Sequence, residues 1–415
     1  MGSRSCYYGR MLRSTINNFR ALRPPVKAMV YLHWIYSFVG ALTGMFVQIY
    51  LYQRFGSVTF NIIGLVFYFL GCALGFSLVG AIASWYRLDM KWGYVAAFVV
   101  LCVSFLFLYG NVSVRDALLF MFANGFGLGL YWLTLHTFEL TETQNHERDH
   151  YSSMLSAGDQ VIDLAAPAVA TLLFYLSDDV FHLGSFALLF AVSPLIYLSG
   201  IPLFRAIRSY HPKPIDRADL RHFLHDRKNR HAQLYLFAGS ANFVFSKLAL
   251  PLAAIMFLGS AKNVGVFSTI FACLSVAALL VLSKYRHGES RMSFLFWTNA
   301  SLALIAFFMA LRFDLVMFII FSLLGVVLRP LSRVSSHVID LETMETLGKE
   351  GRDFFPTMIF RDVAFGFWRV LALLAFAGLV LVVGEGAVAV RMSFVALALS
   401  CVLLWVGARL IYRRN

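Results

Sequence analysis

Asn61-Ile-Ile-Gly-Leu-Val-Phe-Tyr-Phe-Leu-Gly-Cys-Ala-Leu-Gly-Phe-Ser-Leu-Val-Gly-Ala-Ile-Ala83 runs without a single charged side chain. At a helical rise of about 1.5 Å per residue, about twenty apolar residues cross the roughly 30 Å of bilayer hydrocarbon. The stretch therefore reads as the body of a membrane-spanning helix over 58–84. Outward from it the same reading repeats. Twelve spans are predicted, near 28–52, 58–84, 93–110, 114–138, 152–176 and 183–205, then 233–258, 263–283, 292–311, 314–338, 356–384 and 388–411. Composition agrees, since the 415 residues are 60% hydrophobic and only 14% charged. Soluble domains hold about 45–50% apolar and about 25% charged residues, and a fold bathed in water could not cover this much apolar surface. The expected fold class is an all-α polytopic membrane protein.

The formal net charge of +13 would suggest nucleic acid in a soluble protein. Here the cations sort by loop. One alternating set holds Arg4 to Lys27, Arg87 and Lys91, Arg205 to Arg230, Lys284 to Arg291, and Arg413 with Arg414. The other set is short and holds Asp178, Asp179 and Glu385, with isolated cations such as Arg54 and Lys262. Lys and Arg are retained on the cytoplasmic side. Both termini are therefore expected in the cytoplasm, no nucleic-acid partner is expected, and a bacterial cytoplasmic membrane is the expected site. Four of the cysteines (Cys72, Cys102, Cys273 and Cys401) lie in apolar runs, Cys6 precedes them, and no CxxC pair occurs. That pattern suits small hydrophobes rather than a disulfide or metal framework. His222 and His225 have helical i,i+3 spacing in a polar loop, for which a solvated loop is the favoured reading over a metal site.

Three matches divide the chain into halves. Lys27-Ala-Met-Val-Tyr-Leu32 parallels Arg230-His-Ala-Gln-Leu-Tyr-Leu236, His136-Thr-Phe-Glu139-Leu140 parallels His337-Val-Ile-Asp340-Leu341, and Arg148-Asp149 parallels Arg352-Asp353. They fall in order at a nearly constant offset, the mark of an internal repeat. The expected organisation is a cytoplasmic tail (1–27), a six-helix bundle (28–205), a basic cytoplasmic loop (206–232), a second six-helix bundle (233–411) and a short tail (412–415).

This 6+6 layout, with a long central loop and duplicated halves, resembles the major facilitator superfamily over nearly the whole chain. That family carries a Gly-x-x-x-Asp-Arg-x-Gly-Arg-like signature between spans two and three. The corresponding segment is Gly80-Ala-Ile-Ala-Ser84-Trp-Tyr-Arg87-Leu-Asp89-Met-Lys91-Trp-Gly93, with Ser84 in the place of the acid. The match is partial, and no subfamily is assigned. The resemblance implies two bundles rocking about a midplane site, with spans one, four, seven and ten lining the cavity.

Ionisable residues inside spans cost about 2.5–3.5 kcal/mol each on insertion scales, so each needs a reason. Asp159 and Asp163 stand four apart on one face of span five. Two carboxylates in low dielectric resist ionising together, which suits a proton carrier. Span eleven holds Arg361, Asp362 and Arg369, span ten holds Arg329 and Arg333, span seven Lys247 and span one His33. His33, Lys247, Arg329 and Arg333 are the expected solute contacts. Asp159, Asp163, Arg361, Asp362 and Arg369 are expected either to couple protons or to pair across the bundle interface. His136, Glu139, Arg148, His337, Asp340 and Arg352 are expected to form a cytoplasmic latch rather than a metal site. Tyr31, Trp34 and Tyr36 read as an interfacial aromatic belt.

No GxxxxGK[ST], HExxH or GxSxG occurs, so no ATP motor, enzymatic activity or cofactor is expected. The expected function is secondary active transport, by a monomer, of a small anionic or zwitterionic solute coupled to protons. Two other classes compete: a non-transporting sensor or assembly partner that signals through loop 206–232, and a lipid-modifying enzyme built on the His136/Glu139 and His337/Asp340 pairs.

Overall fold

The computed structural model describes residues 19, 22–143, 145–215, 229–282, 291–348 and 354–412. The tail residues 1–18, most of the central loop including His222 and His225, and Arg352 lie outside the described residues. So do the side chains of Arg148, Arg333, His337 and Asp340.

Twelve α-helices account for the described chain, with no strand among the described residues. They are α1 (Pro24–Phe55), α2 (Val58–Trp85), α3 (Trp92–Phe105), α4 (Val114–Glu142), α5 (Asn145–Tyr175) and α6 (Ala187–Gly200). The second half holds α7 (Asn229–Leu258), α8 (Ala261–Leu282), α9 (Arg291–Leu311), α10 (Leu315–Gly348), α11 (Phe354–Val383) and α12 (Ala387–Tyr412). Nine stretches among the described residues are long and apolar enough to cross a membrane, and Trp92–Leu108, Ala261–Ala277 and Leu315–Arg329 are shorter apolar helices. The chain is a multi-pass helical membrane protein.

Local chemistry sets the helix ends. Pro24 and Pro25 open α1, because a first-turn proline lacks only an N–H that has no partner there. Gly56 closes α1 in the left-handed region, at φ 66°. Ser57 then caps α2 by accepting from the Phe60 amide at 3.0 Å. Ser113 and Asp116 form a reciprocal capping box at the start of α4.

Within the first half α2 packs closely on α4. A Cβ on Gly125 would collide with the Tyr68 carbonyl, and one on Gly129 with the Cys72 carbonyl. Small residues of this kind let membrane helices approach at backbone distance. The halves meet where α2 packs on α11, α5 on α8 and α1 on α7. Ala73 faces Gly366 and Gly80 faces Ile359 along the α2–α11 seam.

At the short-loop face two polar contacts join the halves. Glu385, between α11 and α12, accepts from Ser57 Oγ at 3.1 Å and from the Val58 and Thr59 amides at 2.9 and 3.2 Å. Lys262 Nζ reaches Asp179 at 2.8 Å and Asp178 at 3.5 Å.

At the opposite face the start of the central loop is strapped to the α2–α3 turn. Ser84 Oγ donates to the Lys213 carbonyl at 2.7 Å and accepts from the Ile215 amide at 2.8 Å. Asp89 accepts from the Tyr210 amide at 3.1 Å, and Lys91 Nζ donates to Ser209 Oγ at 2.9 Å. Burial pushes the Asp89 carboxyl up, but the hydrogen bonds from Ser209, Lys91 and Tyr210 outweigh it and leave the group below its ordinary value. Here Ser84 both donates and accepts, which an ionised Asp cannot do.

Candidate functional site

A cavity of 310 Å³ lies among the helices of the first half, where α7 of the second half adds Phe243 and Lys247. Helix α1 supplies most of one wall, with His33, Tyr36, Ser37 and Gln48 around Gly40 and Gly44. A Cβ on either glycine would meet nothing within 4 Å, so these two positions leave the space open. Helix α5 adds Asp159 and Asp163. Tyr68, Leu101, Trp132 and Tyr197 bring in α2, α3, α4 and α6. Spans one, four and seven line the cavity as expected, but no residue of α10 does among the described lining, and α5 takes a place the sequence reading did not give it.

His33 is the most connected side chain of the wall. Its Nδ1 lies 2.9 Å from the Tyr131 hydroxyl, and its Nε2 lies 3.1 Å from Ser37 Oγ and 3.4 Å from Asp159 Oδ1. The Tyr131 hydroxyl and Ser37 Oγ each stand within hydrogen-bond reach of one ring nitrogen, donor and acceptor being set by the tautomer. Asp159 Oδ1 itself is buried and accepts no hydrogen bond. Gln48, buried further along α1, likewise has an Oε1 that accepts none. Tyr36 stacks on Tyr131 with ring centroids 3.7 Å apart. Tyr36 is therefore a cavity side chain and not part of a lipid-facing belt. A Cβ on Gly158 would collide with the Trp34 indole, whose Nε1 is buried, so Trp34 packs against α5. Tyr31, at 42% exposure, keeps the belt reading.

Two cations stand on the α7 side, of which Lys247 lines the cavity and Arg369 does not. Lys247 Nζ lies 5.3 Å from the Tyr68 ring centroid and 5.1 Å from that of Phe243. It makes no ion pair or hydrogen bond with the described residues. Arg369, from α11, sits 5.2 Å from Phe69, 4.7 Å from Phe243 and 5.4 Å from Phe365. Its Nε is buried and donates no hydrogen bond. Cation–π contacts recover part of the lost hydration of such groups.

The remaining candidates sit elsewhere. Arg361 pairs with its neighbour Asp362, Nη2 to Oδ1 at 2.7 Å. Arg329 is outside the cavity lining, its guanidinium 5.0 Å from Phe321. His136 Nδ1 lies 2.9 Å from Glu139 Oε2, and Tyr151 donates to Glu139 Oε1 at 3.0 Å. The other latch candidates, Arg148, His337, Asp340 and Arg352, fall outside the described side chains, as does Arg333. No group of three or more metal-ligating side chains occurs among the described residues.

Twelve helices meet around a polar cavity, a fold shared with solved membrane transporters. No family model matches the chain, and no curated protein matches its sequence. Solved structures do match. The nucleoside transporter NupG aligns at a TM-score of 0.60 and 11% identity, over 95% of this chain and 100% of that one. A bacterial homologue of the human drug–peptide transporters PepT1 and PepT2 aligns at 0.66 and 13%, over 94% and 99%. A POT family transporter in complex with a thioalcohol-conjugated peptide aligns at 0.66 and 11%, over 96% and 99%. At these identities the likeness is one of fold.

Proposed function

We propose that this protein is a secondary active transporter that moves a small anionic or zwitterionic solute by alternating access, with protons carried by Asp159 or Asp163. The observation that carries the reading is Lys247. A cation placed in low dielectric without a counter-charge is costly unless something pairs with it. Lys247 lines the cavity and has no acidic partner among the described residues, so an anionic group of the solute is the partner it awaits. The nucleoside and peptide transporters of the same fold support a transport role for such a cavity.

The basic face, with both termini and the central loop, belongs to the cytoplasm in this reading, and the protein works as a monomer in a cytoplasmic membrane. The contacts of Glu385 and Lys262 then close the outer side.

Purified protein in liposomes, loaded with unlabelled solute and offered radiolabelled dialanine, uridine or lactate, tests the proposal. Counterflow of at least one of these, above that of empty liposomes, is expected. Counterflow of none, by protein that binds one of them, favours the non-transporting sensor and overturns the transport reading.

A further inference from the structure

The charge pattern of the cavity narrows the solute class, an inference that rests on the transport reading above. Lys247 stands on α7 of the second half, and Asp159 on α5 of the first. Both line one cavity of 310 Å³, near the lower end of the roughly 300–1,000 Å³ of small-molecule sites. Each presents an unmet need. Lys247 has no anionic partner among the described residues, and Asp159 Oδ1 is buried without a donor.

His33 does not remove the second need. Its Nε2 stands 3.4 Å from Asp159 Oδ1, and that oxygen accepts no hydrogen bond. Asp163 stands one helical turn further along the same cavity wall. A solute that is only an anion leaves the Asp159 oxygen unsatisfied, and a solute that is only a cation leaves Lys247 unsatisfied.

We infer that the solute is a small zwitterion, held with its anionic group at Lys247 and its ammonium group at Asp159. Such a solute bridges the two halves. Its binding free energy is available only when both walls are within its reach, which links occupancy of the cavity to the relative position of the bundles.

Three compounds of one skeleton test this: L-alanyl-L-alanine, its N-acetyl derivative (anion) and its C-terminal amide (cation). Isothermal titration calorimetry on the full-length protein in detergent is the measurement. Dialanine is expected to bind at least about tenfold more tightly than either derivative, because each derivative leaves one buried charge unpaired. Asp159→Asn is expected to weaken dialanine by about tenfold or more and to leave the N-acetyl compound unchanged. Lys247→Gln is expected to weaken both, and Asp159→Glu to retain part of the dialanine binding. Thermal unfolding of each variant separates misfolding from lost contact.

Equal or tighter binding of the N-acetyl compound overturns the inference, as does an equal effect of Asp159→Asn on both compounds, or binding of none of the three. The two readings fail differently. Counterflow of lactate without dialanine binding removes the zwitterion and leaves transport standing. Dialanine binding without counterflow does the reverse.

Discussion

Lys247 and Arg369 converge on one aromatic ring, their charged ends 5.1 and 4.7 Å from the centroid of Phe243. Two like charges share a low-dielectric seam, with Lys247 unpaired and Arg369 Nε without a hydrogen bond among the described residues. Replacing an unpaired buried charge by an apolar side chain of similar length removes its desolvation cost. Lys247→Met is therefore expected to raise the unfolding temperature of the solute-free protein while abolishing solute binding. Differential scanning calorimetry beside a binding isotherm checks it. A lower unfolding temperature would mean that Lys247 is structural.

Gly44 and Gly125 make opposite demands on a methyl group. A Cβ on Gly44 meets nothing within 4 Å, whereas one on Gly125 meets the Tyr68 carbonyl. Gly44→Ala is expected to fold normally, and Gly44→Leu to fold but bind poorly because its side chain enters the cavity. Gly125→Ala is expected to cost about 1–3 kcal/mol through overpacking. Thermal unfolding and dialanine binding of the three variants distinguish the cases.

Glu385 gives a pH signature. Burial raises its carboxyl, but hydrogen bonds from Thr59, Val58 and Ser57 outweigh that and hold it below its ordinary value. A group whose folded value is depressed stabilises the folded state fully above its unfolded value, about 4.3 for Glu. That contribution is lost as pH falls through the lowered folded value. The carboxylate also faces the N-terminus of α2, where negative charge is favourable. As the site is mostly solvent-accessible, up to about 1 kcal/mol is expected. Glu385→Gln should be less stable than wild type at pH 7, and the gap should close as pH falls below 4.3 toward the lowered value. A pH-independent gap in a thermal-unfolding series would contradict this.

Ser84 is expected to tolerate no acid. Ser84→Asp places a carboxylate against the Lys213 carbonyl that Ser84 now donates to. It restores the acid of the family signature, yet should release the strap at 207–215. Ser84→Ala is expected to lose about 0.5–1.5 kcal/mol per hydrogen bond. Limited proteolysis of the central loop, faster in Ser84→Asp than in Ser84→Ala, is the check.

The sequence made the helices legible because hydrocarbon thickness imposes a run length that composition exposes directly, as in 61–83. It also exposed His33, Lys247, Asp159 and Asp163 as costly residues inside spans, and all four line the cavity. Their partners were not legible. His33 meets Asp159 and Tyr131 through the packing of α1 on α5 and α4, and no spacing along the chain encodes that. Arg329 has the same local signature as Lys247, yet its helix turns it onto Phe321. Tyr36 looked like its neighbour Tyr31, although about 100° of helical rotation per residue puts them on different faces. Ser84 read as a departure from a motif, and its use as a strap anchor became visible only with the loop folded back.

The central claim is that solute and proton cross together through the Lys247 cavity. The most direct measurement is internal pH in liposomes holding the purified protein and a pH-sensitive dye, on adding dialanine outside. Wild type should acidify the lumen, Asp163→Asn should still exchange dialanine but move no protons, and Lys247→Gln should do neither. Dialanine-driven acidification that survives in Lys247→Gln would contradict the account.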